Sequence, residues 1–265
     1  MVNVYALNIE NLPDPAEHAN MLEHLTPARK EKTMKYRHAS DRKRSLGAGL
    51  LLLDVLPKFG ADSKDIQIAA DGKPEVDGIF FNLSHSGSYV ICAVGKQPIG
   101  CDVEQVKKAP RQVAKHFFCE SEIAYIEMQE SRLQDEAFFR IWTMKESYMK
   151  MTGEGIRLPL NEFEILLCPQ TGVAGGALNA YGAITSFEKL TDIEGECIRV
   201  RREGKVQPCC IECCELPGYQ VSVCFMESDL DRDLDRDSAQ KVEFQEFSGL
   251  NLLANHFAHG YSFGV

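Results

Sequence analysis

The sequence predicts an α+β fold. Three observations carry this expectation. Strand-like alternation of apolar and polar residues recurs in both halves of the chain, helical stretches occur in both halves, and the composition is ordinarily globular, with 44% apolar and 26% charged residues. At 265 residues the chain can bury one large core or two modest ones.

The elements follow in order. "VNVYALNI" at the N-terminus alternates as a strand. Thr26-Pro27 is a good N-cap and first-turn pair, opening a basic helix through "ARKEKTMKYR". Ser40-Asp41 opens a second helix, "DRKRSLGAGLLLLDVL", with Pro57 and Gly60 marking its exit. "IQIAA" and "IFFNLSHS" read as short strands around the turn "DGKPEVDG". "SYVICAV", the turn "GKQP" and "IGCDVE" then read as a hairpin. A helical stretch from about 109 to 152 ends at Gly153 and Gly155. Strands return with "FEILLC", "CIRVRR", "CCIECC" and "YQVSVCF". The last forty or so residues carry an acidic run and then "FQEFSGLNLLANHF", to which no element is assigned. No internal repeat is visible.

Composition excludes several classes. No basic segment followed by a long apolar run stands at the N-terminus, and the longest apolar stretch, "LGAGLLLLDVL", is too short to span a bilayer, so a cytoplasmic protein with no membrane partner is expected. Ten cysteines in a chain of this size read as reduced thiols rather than a disulfide framework. "CCIECC" contains a C-x-x-C without a second ligand pair, so a strand with buried thiols, turned by "ELPGY" into the next, is the expectation. A net charge of −10 argues against a nucleic-acid partner. The run "ESDLDRDLDRD" has alternating aspartates but lacks the glycine and glutamate of a calcium loop, and reads as solvated charge.

Chemistry concentrates in two stretches. In "QPIGCDVEQ", Ile99, Cys101 and Val103 share one strand face while Gly100, Asp102 and Glu104 share the other. Two like charges side by side repel. In the helix "EAFFRIWTMKESYMK", Trp142, Glu146 and Lys150 fall at i, i+4 and i+8, while Phe138, Ile141 and Met149 can face a core. Taken alone, Glu146 and Lys150 are an ordinary i,i+4 ion pair worth about 0.3–0.5 kcal/mol. Set beside Asp102 and Glu104, Glu146 completes a three-carboxylate set suited to Mg²⁺, with Gly100 leaving room for a ligand to approach. Cations suited to phosphate lie upstream: Arg29 and Lys32 one helical turn apart, Arg44 in the next helix and Lys73 in "DGKP". Ser84-His85 ends a strand.

"IGCDVE" followed by "IWTMKESYMK" resembles the paired signature of the 4′-phosphopantetheinyl transferases, a G-x-D-x-E strand before a W-x-x-K-E-x-x-x-K helix. "DGKP" and "FNLSHSG" resemble that family's N-terminal motifs. The order and spacing are similar to the long type that serves peptide synthetases and related carrier proteins. The resemblance covers most of residues 1–225. It implies a monomer of two similar α+β halves in pseudo-twofold relation, spanning 1–100 and 101–226, with 227–265 an acidic extension lacking a counterpart. Coenzyme A is implied between the halves, and apo acyl or peptidyl carrier proteins as partners.

The resemblance implies that Asp102, Glu104 and Glu146 hold Mg²⁺ against the CoA pyrophosphate, with Lys150 on the same phosphates and Lys145 matching the motif's first lysine. Arg29, Lys32, Arg44 and His85 would grip the 3′-phosphate, with Lys73 and Ser84 near the adenine end. Trp142 would brace the helix. Arg29 stands where the family commonly has lysine. A carrier serine would attack the pantetheine-side phosphorus, 3′,5′-ADP would leave, and Glu146, Glu122 of "FFCESEIAYIE" or a metal-bound water would take the proton. Carrier proteins are usually acidic too, so a locally basic or apolar docking surface is expected on the C-terminal half, with the Asp-rich run kept away.

Two other readings stand beside this one. A metal-dependent nuclease would want an acid-x-lysine strand and a less acidic chain. A non-catalytic CoA-binding or regulatory protein of the same fold would be favoured had one of the three acids been missing.

Overall fold

The strand that opens the chain, β1 (Val2–Asn8), buries both of its faces, and the architecture follows from that. In the computed structural model, which describes residues 2–70, 72–167, 198–227 and 242–248, the helices α1 (Pro27–Lys35) and α2 (Ala39–Val55) come next. The pair β2 (Gln67–Ile68) and β3 (Pro74–Glu75) precedes β4 (Phe80–Ser86), β5 (Tyr89–Gly95) and β6 (Ile99–Gln105). Helices α3 (Arg111–Phe117), α4 (Glu120–Met128) and α5 (Gln134–Thr152) follow. The remaining strands are β7 (Phe163–Leu166), β8 (Arg199–Arg202), β9 (Lys205–Val206), β10 (Cys209–Leu216), β11 (Tyr219–Met226) and β12 (Val242–Ser248).

Local signals set several boundaries. Thr26 caps α1, its hydroxyl accepting the Arg29 N–H at 3.3 Å, with Pro27 in the first turn. Helix α2 starts at Ala39 after His38, two residues earlier than Asp41 suggests, and a 3₁₀ turn over Leu56–Phe59 ends at Gly60 with φ of 79°. Gly153 closes α5 at φ of 75°, a left-handed position that glycine adopts without steric cost.

The two principal sheets repeat one topology. In the first, β1 pairs antiparallel with β5 and β5 with β4; in the second, β6 pairs antiparallel with β11 and β11 with β10. Each is a strand, a long helix and a hairpin, with the hairpin's second strand in the middle. The sheets face each other across a core of Val2, Val4, Ala6, Ile91 and Ala93 against Ile99, Cys101, Val103, Val221, Val223 and Phe225. Helix α2 packs on the outer face of the first sheet, over Leu7, Val90 and Val94. Helix α5 packs on the outer face of the second, so the order of layers is helix, sheet, sheet, helix.

Two expectations change. Strands β5 and β6 are not a hairpin: β5 is hydrogen-bonded along both edges, to β1 and β4, and has no edge left for β6. The "GKQP" segment instead carries the chain from one sheet to the facing one. Beyond 226, β12 returns to the N-terminal half and pairs in parallel with β1 from Val2↔Val242 to Asn8↔Ser248. The acidic run from 228 onward lies outside the described residues.

Gly100 does not make room for a ligand. A Cβ there would overlap the backbone of α5, at Ser147 O, Met151 N and Lys150 C, so the helix lies directly on the strand. "CCIECC" is strand β10, joined to β11 through Gly218, with Cys209 and Cys210 buried and Cys213 exposed.

Two predictions follow from this packing. Gly100→Ala forces α5 off β6 and destabilises the protein by roughly 3 kcal/mol or more, read as a lowered urea midpoint. Arg42 makes a two-pronged ion pair with Asp14 and donates to the carbonyls of Tyr36 (3.0 Å) and Arg37 (2.8 Å), fixing the α1–α2 junction. The hydrogen bond from Arg42 holds Asp14 at about 2, below its ordinary 3.8. The stabilisation is therefore complete above about pH 4 and is lost as pH falls towards 2; Asp14→Asn should remove that part of the acid-unfolding profile.

Candidate active site

The site is built where three elements meet: the edge strand β4, the edge strand β6 and the helix α5. On β6, Asp102 and Glu104 point to the same side as Gly100, and α5 lies against that side. The close approach brings the helix residues Glu146 and Lys150 to the strand's carboxylates. Lys150 Nζ donates to Asp102 Oδ1 (2.6 Å), Ser84 Oγ (3.0 Å) and the Cys101 carbonyl (3.2 Å). Lys150 therefore bonds across to the strand instead of forming the i,i+4 pair with Glu146.

Strand β4 supplies a row of polar side chains towards β6, at every second residue. Asn82 Oδ1 accepts the Cys101 N–H (3.0 Å), Ser84 Oγ donates to Asp102 Oδ1 (2.7 Å), and Ser86 Oγ donates to Glu104 Oε2 (2.7 Å) while accepting the Gln105 N–H (3.1 Å). These bonds satisfy part of an edge that would otherwise lack partners. Asn82 and Ser86 are not among the residues picked from sequence. Their signal was the N-x-S-x-S alternation in "FNLSHS", which puts all three on one face.

The electrostatics reflect crowded negative charge. Burial, followed by Asp102, raises Glu104 above its ordinary value. Burial, with Asp102 and Glu104 beside it, pushes Glu146 up to about 7. Burial works against the charge of Lys150, but Asp102, Cys101 and Glu146 together outweigh it and the ammonium is held above its ordinary value. Asp102 Oδ2 is buried with no hydrogen-bond partner. An unpartnered buried carboxylate oxygen, and two further acids pushed upward by their neighbours, are the chemistry of a hard-cation donor set. As placed, no three acidic, His or Cys side chains among the described residues already form a metal cage.

The cations picked from sequence gather beside this group on the N-terminal half. Burial and then Arg29 lower Lys32, and burial lowers Arg29. Partial burial, then the positive charges of Arg44, Lys150 and Lys32, hold His85 below its ordinary value. Arg44 donates to Asp41 (2.6 Å) and to the Gly87 carbonyl (3.1 Å). Lys73 Nζ donates to the Lys150 carbonyl at 3.0 Å, in the last turn of α5, where a cation is favoured. Ser84 stands between Asp102 and Lys150.

Two residues picked from sequence stand elsewhere. Lys145 is completely buried, and its three donors are used by Glu122 Oε1 (2.8 Å) and the carbonyls of Leu160 (2.8 Å) and Phe163 (2.7 Å). Glu122 accepts the Ile165 N–H (2.8 Å) and, in a capping box at the start of α4, the Cys119 N–H (2.8 Å). The pair joins α4, α5 and β7. All three Lys145 donors and both Glu122 oxygens are thus engaged within the protein. Trp142 stacks on Phe138 at 6.0 Å and packs against the C-terminal core, as a brace should.

Comparison with known proteins adds two findings. Residues 98–224 match the family model "4'-phosphopantetheinyl transferase superfamily", and residues 11–97 match "4'-phosphopantetheinyl transferase, N-terminal". Among relatives, the 4′-phosphopantetheinyl transferase Sfp of Bacillus subtilis (strain 168) is 28% identical over 88% of this chain and 96% of its own. The 4′-phosphopantetheinyl transferase gsp of Aneurinibacillus migulanus is 35% identical over 50% of this chain and 57% of its own. HetI of Nostoc, also a 4′-phosphopantetheinyl transferase, is 38% identical over 42% of this chain and 48% of its own. Among the described residues no helix is long and apolar enough to cross a membrane.

A scaffold role for the buried pair has a direct test. Lys145→Met leaves Glu122 without its counter-charge in the core and should cost about 3–5 kcal/mol. Adding Glu122→Gln should restore part of that loss, whereas a phosphate-binding lysine would show its effect in substrate KM at unchanged stability.

Proposed function

Because the chain belongs to the 4′-phosphopantetheinyl transferase superfamily, we propose that it moves the 4′-phosphopantetheine arm of coenzyme A onto a serine hydroxyl of an apo acyl or peptidyl carrier protein, releasing 3′,5′-ADP. The observation that carries this reading is the meeting of Asp102, Glu104, Glu146 and Lys150 beside the cations of the other half.

In this reading Asp102, Glu104 and Glu146 hold Mg²⁺, and Asp102 Oδ2 is the oxygen left free for it. When bound, the ion would neutralise charge on the transferring phosphate. Lys150, already raised and hydrogen-bonded to Asp102, contributes a second positive charge to the same phosphates. Arg29, Lys32, Arg44 and His85 bind the 3′-phosphate. Lys73 and Ser84, each hydrogen-bonded to Lys150, lie near the adenine end.

Most of the catalysis in such a transfer is alignment and charge. The proton of the carrier serine needs an acceptor. Of the two carboxylates weighed from sequence, Glu122 is locked in the core and Glu146 faces the cleft elements. Glu146, beside Asp102 and Glu104, is the carboxylate placed to take the proton. The same reading has the protein act in the cytoplasm as a monomer, with a basic or apolar surface of the C-terminal half receiving the carrier.

The test is intact-mass spectrometry of apo acyl- and peptidyl-carrier proteins incubated with the protein, CoA and Mg²⁺. Each active carrier should gain one phosphopantetheine unit. Asp102→Ala and EDTA should each reduce the rate by at least about a hundredfold, on the scale of losing a preorganised charge-stabilising group. CoA binding without any mass gain on either carrier class would instead make the protein a non-catalytic CoA binder.

A further inference from the structure

The anion-binding cluster of the N-terminal half rests on a turn that the C-terminal half holds in place. That turn, Ser86–Ser88, joins β4 to β5 and directly follows His85. Its central residue, Gly87, has φ of 52° and is packed on both sides. On one side its carbonyl accepts Arg44 Nη1 at 3.1 Å. On the other, a Cβ would stand 2.5 Å from Tyr219 Oη and 2.9 Å from Gln105 Oε1, both from the second sheet. Tyr219 Oη also accepts the Ser88 N–H at 3.0 Å, and its ring meets Tyr89 edge-on, with centroids 4.9 Å apart.

A glycine turn has little conformational preference of its own, so its position is set by what grips it. Arg44 is tied to Asp41 on its own helix, and its only bond out to the turn is the one to Gly87. Tyr219 therefore fixes the far side of the turn together with Ser86, whose hydroxyl bonds Glu104 and the Gln105 N–H; the turn directly follows His85, and Arg44 is registered against it. We propose that Tyr219 is a positioning residue for recognition of the 3′-phosphate of coenzyme A: it touches no substrate, and it sets the discrimination between CoA and 3′-dephospho-CoA. The proposal rests on the reading that Arg44 and His85 bind that phosphate, and it explains how one half of the molecule governs specificity in the other.

The experiment compares KM and kcat for CoA and for 3′-dephospho-CoA in the wild type, Tyr219→Phe, Gln105→Ala, Arg44→Ala and the Tyr219→Phe/Arg44→Ala double variant. Loss of one neutral hydrogen bond predicts a three- to tenfold rise in KM for CoA in Tyr219→Phe, with kcat nearly unchanged. KM for 3′-dephospho-CoA should stay put, so that the preference for CoA shrinks by the same factor. Gln105→Ala, which frees the neighbouring side of Gly87, should do the same to a lesser degree, and serves if the tyrosine variant does not fold. In the Arg44→Ala background the tyrosine change should add nothing. Equal losses with both substrates, or a lowered melting temperature with the preference intact, would make Tyr219 a structural residue and overturn the proposal. A wild type that does not distinguish the two substrates would overturn the phosphate assignment itself, and the role of Tyr219 with it.

Discussion

The backbone of α5 lies directly on Gly100, and the candidate site depends on that contact. A side chain at this position would meet three backbone atoms in the helix's last two turns. Side chains can rotate out of a clash, whereas helix backbone cannot, so helix and strand would have to part. Parting them would withdraw Lys150 from Asp102 and Glu146 from the neighbourhood of both strand acids. The glycine beside two like charges thus answers to the helix: it lets a third acid and a lysine come close enough to make the cluster functional.

A second seam completes the site from the other half. The two sheets are joined face to face by an apolar core, but along β4 and β6 they meet edge to edge, with side chains of β4 bonded to β6. Asn82 occupies the Cys101 N–H of β6, Ser84 holds the Asp102 carboxylate that β6 presents, and Ser86 does both, through Glu104 and the Gln105 N–H. Each half alone would leave those groups exposed. The repeated strand–helix–hairpin topology therefore gives more than symmetry, because it puts an edge strand from each half at the one place where both are needed.

Local chemistry was legible in the sequence and pairing at a distance was not. The Thr26-Pro27 cap, the glycine at the end of α5 and the strand "IGCDVE" depend on neighbours in the chain, and each stands as read. The β5–β6 hairpin failed because two alternating segments and a short turn look the same whether or not β5 has a free edge; both edges are filled by β1 and β4, far away in sequence. Strand β12 was invisible for a similar reason, since its partner is the first strand of the chain. Lys145 is a different case. Phe138, Ile141, Lys145 and Tyr148 follow helical spacing, so the period itself put the lysine on the buried stripe. A buried lysine calls for a buried acid, and Glu122 is that acid.

The charge balance of the site explains why the acids and cations are arranged as two groups rather than one. Three carboxylates face a single lysine, and Asp102 spends one oxygen on that lysine while the other stays buried and unpaired. Moving the Arg29–Arg44 cations into the cluster would neutralise it, but would leave no bias towards incoming positive charge and no separate anchor for a distant phosphate. Kept apart from those cations, Glu146 is pushed up to about 7 by burial first and by Asp102 and Glu104 beside it. Near neutral pH the group is then balanced between holding a proton and binding a cation, and small changes in local charge tip it. The repulsion that looked like a defect on an isolated strand is what makes this cluster responsive, and the cost of keeping it is carried by the α5–Gly100 contact and the polar row on β4.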